Sequence, residues 1–250
     1  MVFSTIIFLC VFLPLTIILY YLMPAKAKNY YLLFASLMFY AWGEPKFLLV
    51  MLLSILCNYG LGMWLASGFK RRRLVVALAV ILNMGILFIF KYLTFAMESM
   101  QKLIAGFPVW QIALPIGISF YTFQGLSYVI DVYRNSEDAS FVQRNPFRLA
   151  LYISMFPQLI AGPIVRYKDI KDSLKERTHT LDGFAYGASR FIIGLSKKAI
   201  LANQMGQLAS QIQSMDTQIL STPAAWLGAI AYTLQIYLDF SGYSDMAIGL

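Results

Sequence analysis

Between Val2 and Met23 the chain has no charged side chain, and that run constrains the solvent this protein can fold in. A helix needs about 20 apolar residues to cross a hydrocarbon core. Phe47 to Ala66 is a second such run. Leu74 to Phe95 is a third, interrupted only by Asn83 and by Lys91, whose long stem lets its ammonium reach an interface. Pro14 is expected to kink the first run. Of the 250 residues 59% are hydrophobic and 13% charged, with a mean hydropathy of +0.66. Soluble domains are about a quarter charged, so this chain has too little polar material to coat a water-facing globule. No basic region precedes the first run and no small-residue cleavage pattern follows it, so it reads as a retained span and not a signal peptide. Cys10 and Cys57 lie inside apolar runs and read as small buried hydrophobes, not as a disulfide or a metal site.

The charges set a topology. Twenty Lys and Arg stand against 12 Asp and Glu, a net +8; in a membrane chain such an excess marks cytoplasmic loops, not nucleic-acid binding. Lys26/Lys28 and the run Lys70 to Arg73 fall on one side if two spans separate them. Tyr30 to Trp42 is apolar but short, and Gly43-Glu44-Pro45 reads as a turn. The Glu98/Lys102 segment is then external, and Ile112 to Ile130 returns inward to Arg134, Arg144 and Arg148. Leu149 to Val165 breaks the pattern, because basic residues flank it on both sides and it contains Pro157, Gly162 and Pro163. It is expected to be re-entrant, which requires protein or water around its unpaired backbone. Phe184 to Leu201 either crosses or lies in the interface, Ala202 to Thr222 suits the external side, and Ala224 to Leu238 re-enters. The sequence stops at Leu250 without a helix-ending signal, which reads as a truncation.

Polar groups at membrane depth normally face a bundle interior or a cavity. Gln124, Ser127 and Asp131 share one helix face, and Gln235, Asp239 and Tyr243 share another. An acidic residue at mid-membrane costs roughly 2.5–3.5 kcal/mol on insertion scales, so a deep Asp239 needs a partner or water. These faces read either as a polar tunnel or as hydrogen-bonding glue between helices. Asp131, near a helix end, reads as solvated. His179, the single histidine, falls in the charged run Arg166 to Thr180 and reads as a surface residue. The sequence shows no Ser-His-Asp set, no metal-ligand spacing and no glycine-rich phosphate loop.

Several strings carry a resemblance: FYAWGEP at Phe39 to Pro45, Phe90-Lys91-Tyr92, LPIGISFYTFQGLSYVIDVYR at Leu114 to Arg134, FPQLIAGPIVR at Phe156 to Arg166, GLSKK at Gly194 to Lys198, and QIYLDFSGYSDMAIGL at Gln235 to Leu250. In this order they resemble the bacterial membrane-bound O-acyltransferases of the alginate O-acetyltransferase type, with the D-alanyl transferases of teichoic acid modification as close relatives. The resemblance implies an all-α polytopic integral membrane protein, a helical bundle with a re-entrant segment. Residues 1–250 would be the N-terminal part of one transmembrane domain, with no soluble domain, in the bacterial inner membrane. It implies an acyl group, donated by acetyl-CoA or an acyl carrier, that moves outward to hydroxyls of an extracytoplasmic polysaccharide or to a periplasmic acetyltransferase partner. No bound cofactor, metal or nucleic acid is expected. The family's catalytic histidine lies downstream of the DFSGYSD string and so is expected beyond Leu250; His179 does not match that motif. The substrate tunnel is expected to involve Gln124, Gln158, Gly162, Pro163, Arg166, Gln235, Asp239, Ser241, Tyr243 and Asp245. D-alanyl transfer, a transporter or flippase without covalent chemistry, and a non-catalytic remnant stand as alternatives.

Overall fold

A computed structural model describes residues 3–104, 106–135, 138–159, 162, 165–216 and 220–250. Its regular elements among these residues are helical: α1 (Leu13–Leu22), α2 (Lys28–Gly43), α3 (Leu48–Ala66), α4 (Arg72–Leu87), α5 (Leu93–Leu103), α6 (Ile118–Arg134), α7 (Pro146–Ser154), α8 (Phe156–Leu159), α9 (Tyr167–Ile170), α10 (Leu181–Ser196), α11 (Asn203–Gln213) and α12 (Thr222–Gly249). Two helical stretches, Pro45–Ala66 and Arg72–Leu103, are long and apolar enough to cross a membrane. The chain divides into two compact units, one comprising Thr16–Ile160 and Ile164–Arg177, the other Val2–Leu15, Ala161–Pro163 and Thr178–Leu250.

In the first unit α6 packs on α3, α4, α7 and α9, and α2 packs on α7 and α8. Tyr121, Tyr128, Val129, Met51, Val75, Ala79, Leu149 and Leu159 are fully enclosed there. The turn at Gly43-Glu44-Pro45 is present as expected, with a 3-10 turn at Pro45–Phe47. Three expected boundaries differ. The third apolar run does not end at Phe95; a π turn at Phe88–Tyr92 leads into α5, so Glu98 and Lys102 are helical, four residues apart on one side of the helix. The return helix begins at Ile118 and not at Ile112. Pro115 pushes Leu114 out of the helical region, and Gly117 adopts φ 75°, a conformation only glycine takes without cost. In the segment expected to be re-entrant, Leu149 to Val165, the described residues form most of α7 and the short α8, and α9 follows at Tyr167. Met155 is extended (ψ 117°) after α7, and at nine residues α7 is about 14 Å long, less than half a hydrocarbon core. Its residues Leu149, Leu151, Tyr152, Ile153, Ser154 and Phe156 are buried in protein, the surroundings that broken backbone requires at membrane depth.

In the second unit α10 and α11 pack on α12. Ala202 to Thr222, the Gln- and Ser-rich stretch expected on the external side, is helical through Gln213. Gly206, Ala209 and Ile212 are buried, a small-residue stripe that its many Gln and Ser residues conceal from hydropathy. Ser221 caps α12 by accepting from the Ala224 amide, with Pro223 in the first turn. That helix runs on past Leu238 to Gly249. A π turn at Phe8–Phe12 precedes Pro14, which lacks the amide a regular turn would use. Cys10 and Cys57 are exposed thiols and not buried ones: they face outward among the apolar side chains that the composition left no core to bury.

Candidate functional site

Two polar clusters hold the described site residues, one in each unit. The first runs along one side of α6. At its start the Gly117 Cα faces the Leu159 carbonyl so closely that a side chain there would collide with it, which holds the end of α8 against α6. One turn on, Tyr121 lies beside Tyr40 of α2. Next, Gln124 donates from Nε2 to Gln158 Oε1 at 3.2 Å. Ser127 lies beside the Tyr152 hydroxyl, which donates to the Val165 carbonyl at 2.8 Å. Tyr128 packs edge-on to Tyr167 with ring centres 5.0 Å apart, and its hydroxyl accepts from the Gln143 amide. At the far end Asp131 Oδ2 accepts from the Lys168 amide at 3.2 Å. Asp131 is therefore buried, 5% exposed, and not solvated as its place near a helix end had led us to expect. The face shared by Gln124, Ser127 and Asp131 is thus turned toward the broken α7–α9 run, a partner that sequence spacing alone does not reveal.

Gln124 is 1% exposed, yet its Oε1 has no hydrogen-bond partner. An unmet buried acceptor costs about 1–3 kcal/mol. Gln158 is half-buried, Arg166 is exposed, and Gly162 is buried; Pro163 lies outside the described residues. A different side of α6 is sealed. Gly125 leaves room for Asn58, and Asn58 and Asn83 exchange two amide bonds at 3.1 and 3.0 Å. This pair ties α3 to α4, the structural role that polar groups often take between membrane helices.

The second cluster lies where α10 and its following π turn (Lys197–Ala202) cross α12. Asp245 accepts from Lys197 Nζ at 2.5 Å and from Arg190 Nε at 3.2 Å. Lys197 also reaches Ser241 Oγ at 3.3 Å, Arg190 donates to the Tyr186 hydroxyl at 3.0 Å, and Lys198 pairs with Asp239. Asp239, Ser241 and Asp245 are thus held by Lys197, Lys198 and Arg190, none of which was expected among the site residues. For Lys197 and Lys198 the available signal was their place in GLSKK, a string quoted for the resemblance; Arg190 lies outside it. The other two expected residues part company with Asp239. Gln235 packs over Gly206, and Tyr243 stacks on Phe3 with ring centres 4.6 Å apart. His179 is exposed ahead of α10.

Glycines let the two helices touch. A Cβ built on Gly194 would stand 2.5 Å from the Gly242 carbonyl oxygen, and one on Gly249 would stand 2.5 Å from that of Gly187. Each helix carries its glycines seven residues apart, two turns along a single seam.

Comparison with known proteins gives a consistent result. The chain is 43% identical to the probable alginate O-acetylase of Azotobacter vinelandii, over 100% of this chain and 51% of that protein. It is 33% identical to the peptidoglycan O-acetyltransferase of Helicobacter pylori, over 100% of this chain and 53% of that one. A teichoic acid D-alanyltransferase of Bacillus subtilis is 27% identical over 54% of this chain and 34% of its own length. The chain therefore spans about half the length of the relatives it matches throughout. No family model matches it.

Proposed function

We propose that the chain is part of a membrane-bound O-acyltransferase of the alginate O-acetylase type, and that its protein transfers acetyl groups to hydroxyls of an extracytoplasmic polysaccharide. The observation that carries this reading is the identity across the whole chain to two kinds of relative, named for alginate and for peptidoglycan. Their names share the acetyl ester and differ in the polymer. The donor is acetyl-CoA or an acyl carrier on the cytoplasmic side, and the protein is a multi-pass one of the bacterial inner membrane. A periplasmic acetyltransferase is a proposed partner at the outer face.

On this reading the polar residues along α6 line part of the acyl group's route, and the ion pairs at the α10–α12 crossing hold the polar cluster of their own unit for the same reaction. Asp239 pairs with Lys198, and Asp245 is shared by Lys197 and Arg190, so the two carboxylates offset all but one of the three positive charges, which lowers the cost of holding them near hydrocarbon. The family resemblance places the general base on a histidine downstream of the DFSGYSD string, a group whose pKa near neutrality suits removal of a hydroxyl proton. No catalytic role is assigned to His179.

The test is to express the protein in a host that lacks its own polysaccharide O-acetylation and to measure alkali-labile acetate on the purified polymer. Acetate esters are expected with the wild type. Asp239→Asn, which strips Lys198 of its counter-charge, should give at least tenfold fewer at equal protein in the membrane. Alanine esters would replace the acetyl reading with D-alanyl transfer. Export of polymer without any new ester would favour a transporter.

A further inference from the structure

Along α6 three buried side-chain atoms have no hydrogen-bond partner, the hydroxyls of Tyr121 and Thr122 and Gln124 Oε1, and of these the Gln124 oxygen alone can act only as an acceptor. Tyr128 and Tyr152 use their hydroxyls, and Asp131 accepts a backbone amide. On another side of α6 the Asn58–Asn83 pair uses both carboxamide oxygens. The fold can therefore satisfy an amide pair completely, and at Gln124–Gln158 it does so only in part. Gln124 spends its N–H on Gln158 and keeps its Oε1 open while almost fully enclosed. Gln158 is half-buried, so the pair has one enclosed member and one that is reachable. The open oxygen is also held in place. Leu159, the neighbour of Gln158, is fixed against Gly117, and Phe156 at the start of α8 donates its amide to Ser36 Oγ of α2 at 3.2 Å.

We propose that the Gln124–Gln158 pair is a subsite for a neutral N–H or O–H donor carried by the substrate, received by Gln124 Oε1. The chemistry of the stripe selects this class. No side chain from Tyr121 to Tyr128 is charged, and the formal charge at the end of the stripe is the carboxylate of Asp131. A phosphate or carboxylate would meet a carbonyl oxygen and an anion; an amide or hydroxyl would meet an acceptor with a free lone pair. Within the acyl-transfer reading, on which this inference rests, two sources offer such a donor: the amide-bearing thiol arm of a thioester donor, and a sugar hydroxyl of the acceptor. An interaction that leaves a site's buried acceptor unmet in the wrong ligand is a strong means of discrimination.

The experiment measures thermal unfolding of the purified, detergent-solubilised protein with pantetheine and, separately, with a neutral, unacetylated hexose oligosaccharide. One probe is expected to raise the unfolding midpoint of the wild type, and which one does so identifies the source. Gln124→Leu should bind that probe at least tenfold more weakly while its own midpoint, without probe, stays at or above the wild-type value, because the unmet acceptor is gone. Gln124→Glu, which keeps an acceptor oxygen at the same place, should bind more tightly than Gln124→Leu. Equal binding by Gln124→Leu and the wild type, or no shift of the wild type with either probe, would overturn the proposal and leave Gln124 Oε1 facing water alone. The ester measurement fails separately: acetate esters with unchanged probe binding in Gln124→Leu would sink the subsite and keep the acyltransferase reading, and the converse result would do the reverse.

Discussion

At the scale of single residues, the amides at Asn58 and Asn83 show how partner choice decides the cost of polarity. Both are fully buried, and beyond their mutual bonds each donates to the carbonyl four residues back, Ser54 and Ala79. Removing one leaves the other with an unmet carbonyl and an unmet N–H, worth about 1–3 kcal/mol. Removing both leaves an apolar contact of similar shape. Asn58→Leu and Asn83→Leu should each destabilise the protein, and the double variant should be more stable than either. A denaturant-unfolding cycle in detergent measures the coupling, which in membrane proteins averages about 0.6 kcal/mol; a value at or below zero would count against the pair. The sequence marked Asn83 as an interruption in an apolar run and did not connect it to Asn58, because the two stand on different helices and nothing local encodes their meeting. Asp131 was misread for the same reason: its partner is a backbone amide on α9, reached only once the chain has folded back.

At the scale of elements, apolar runs located α3 and α4 well, because a run of that length has few alternatives to a helix, whereas the first run, expected to span from Val2 to Met23, is a shorter apolar helix at Phe8–Leu22. Amphipathic helices escape a search for apolar runs. α5 carries Glu98 and Lys102, and α11 is rich in Gln and Ser; both form because one face is packed or apolar while mean hydropathy averages the two faces together. The polar face of α6 was legible from spacing, whereas the face expected on α12 was not, since Gln235 and Tyr243 take other partners than Asp239, and the ion pairs of Asp239 and Asp245 depend on a helix crossing that spacing does not determine. That crossing is itself testable. The Gly194–Gly242 seam brings backbone against backbone, so Gly194→Val must push α10 off α12 and loosen the ion pairs beside it. Loss of folded protein from the membrane, or a fall of at least several degrees in the unfolding midpoint, is the expected result. Gly85→Ala is the control: nothing lies within 4 Å of the added methyl, and replacing a helical glycine should be neutral or stabilising by about 0.5–1 kcal/mol. Equal effects of the two substitutions would show that the seam is not close-packed.

At the scale of the whole molecule, the question is what covers the apolar side chains that the protein leaves outside. Ile6, Ile7 and Val11 surround Cys10 in sequence and are exposed, as are Leu53 and Leu56 beside Cys57. In water such surfaces would associate; in a bilayer they are the ordinary lining against lipid. The two thiols decide between these solvents. A thiol reacts with a maleimide as its thiolate, and neither thiolate nor a charged reagent enters hydrocarbon. In intact membranes, with the reagent supplied to both sides, Cys10 and Cys57 should therefore remain unlabelled, although both are exposed and unpaired, and they should label once sodium dodecyl sulfate unfolds the protein. Lys26→Cys and Lys70→Cys, placed in the basic connections, should label rapidly and from the same side, since the positive-inside bias assigns both to the cytoplasm. Labelling of Cys10 and Cys57 as fast as the residue at position 70 would mean that water reaches those faces. Since the route proposed for the acyl group needs a lipid exterior to be a route at all, it would fail by the same measurement.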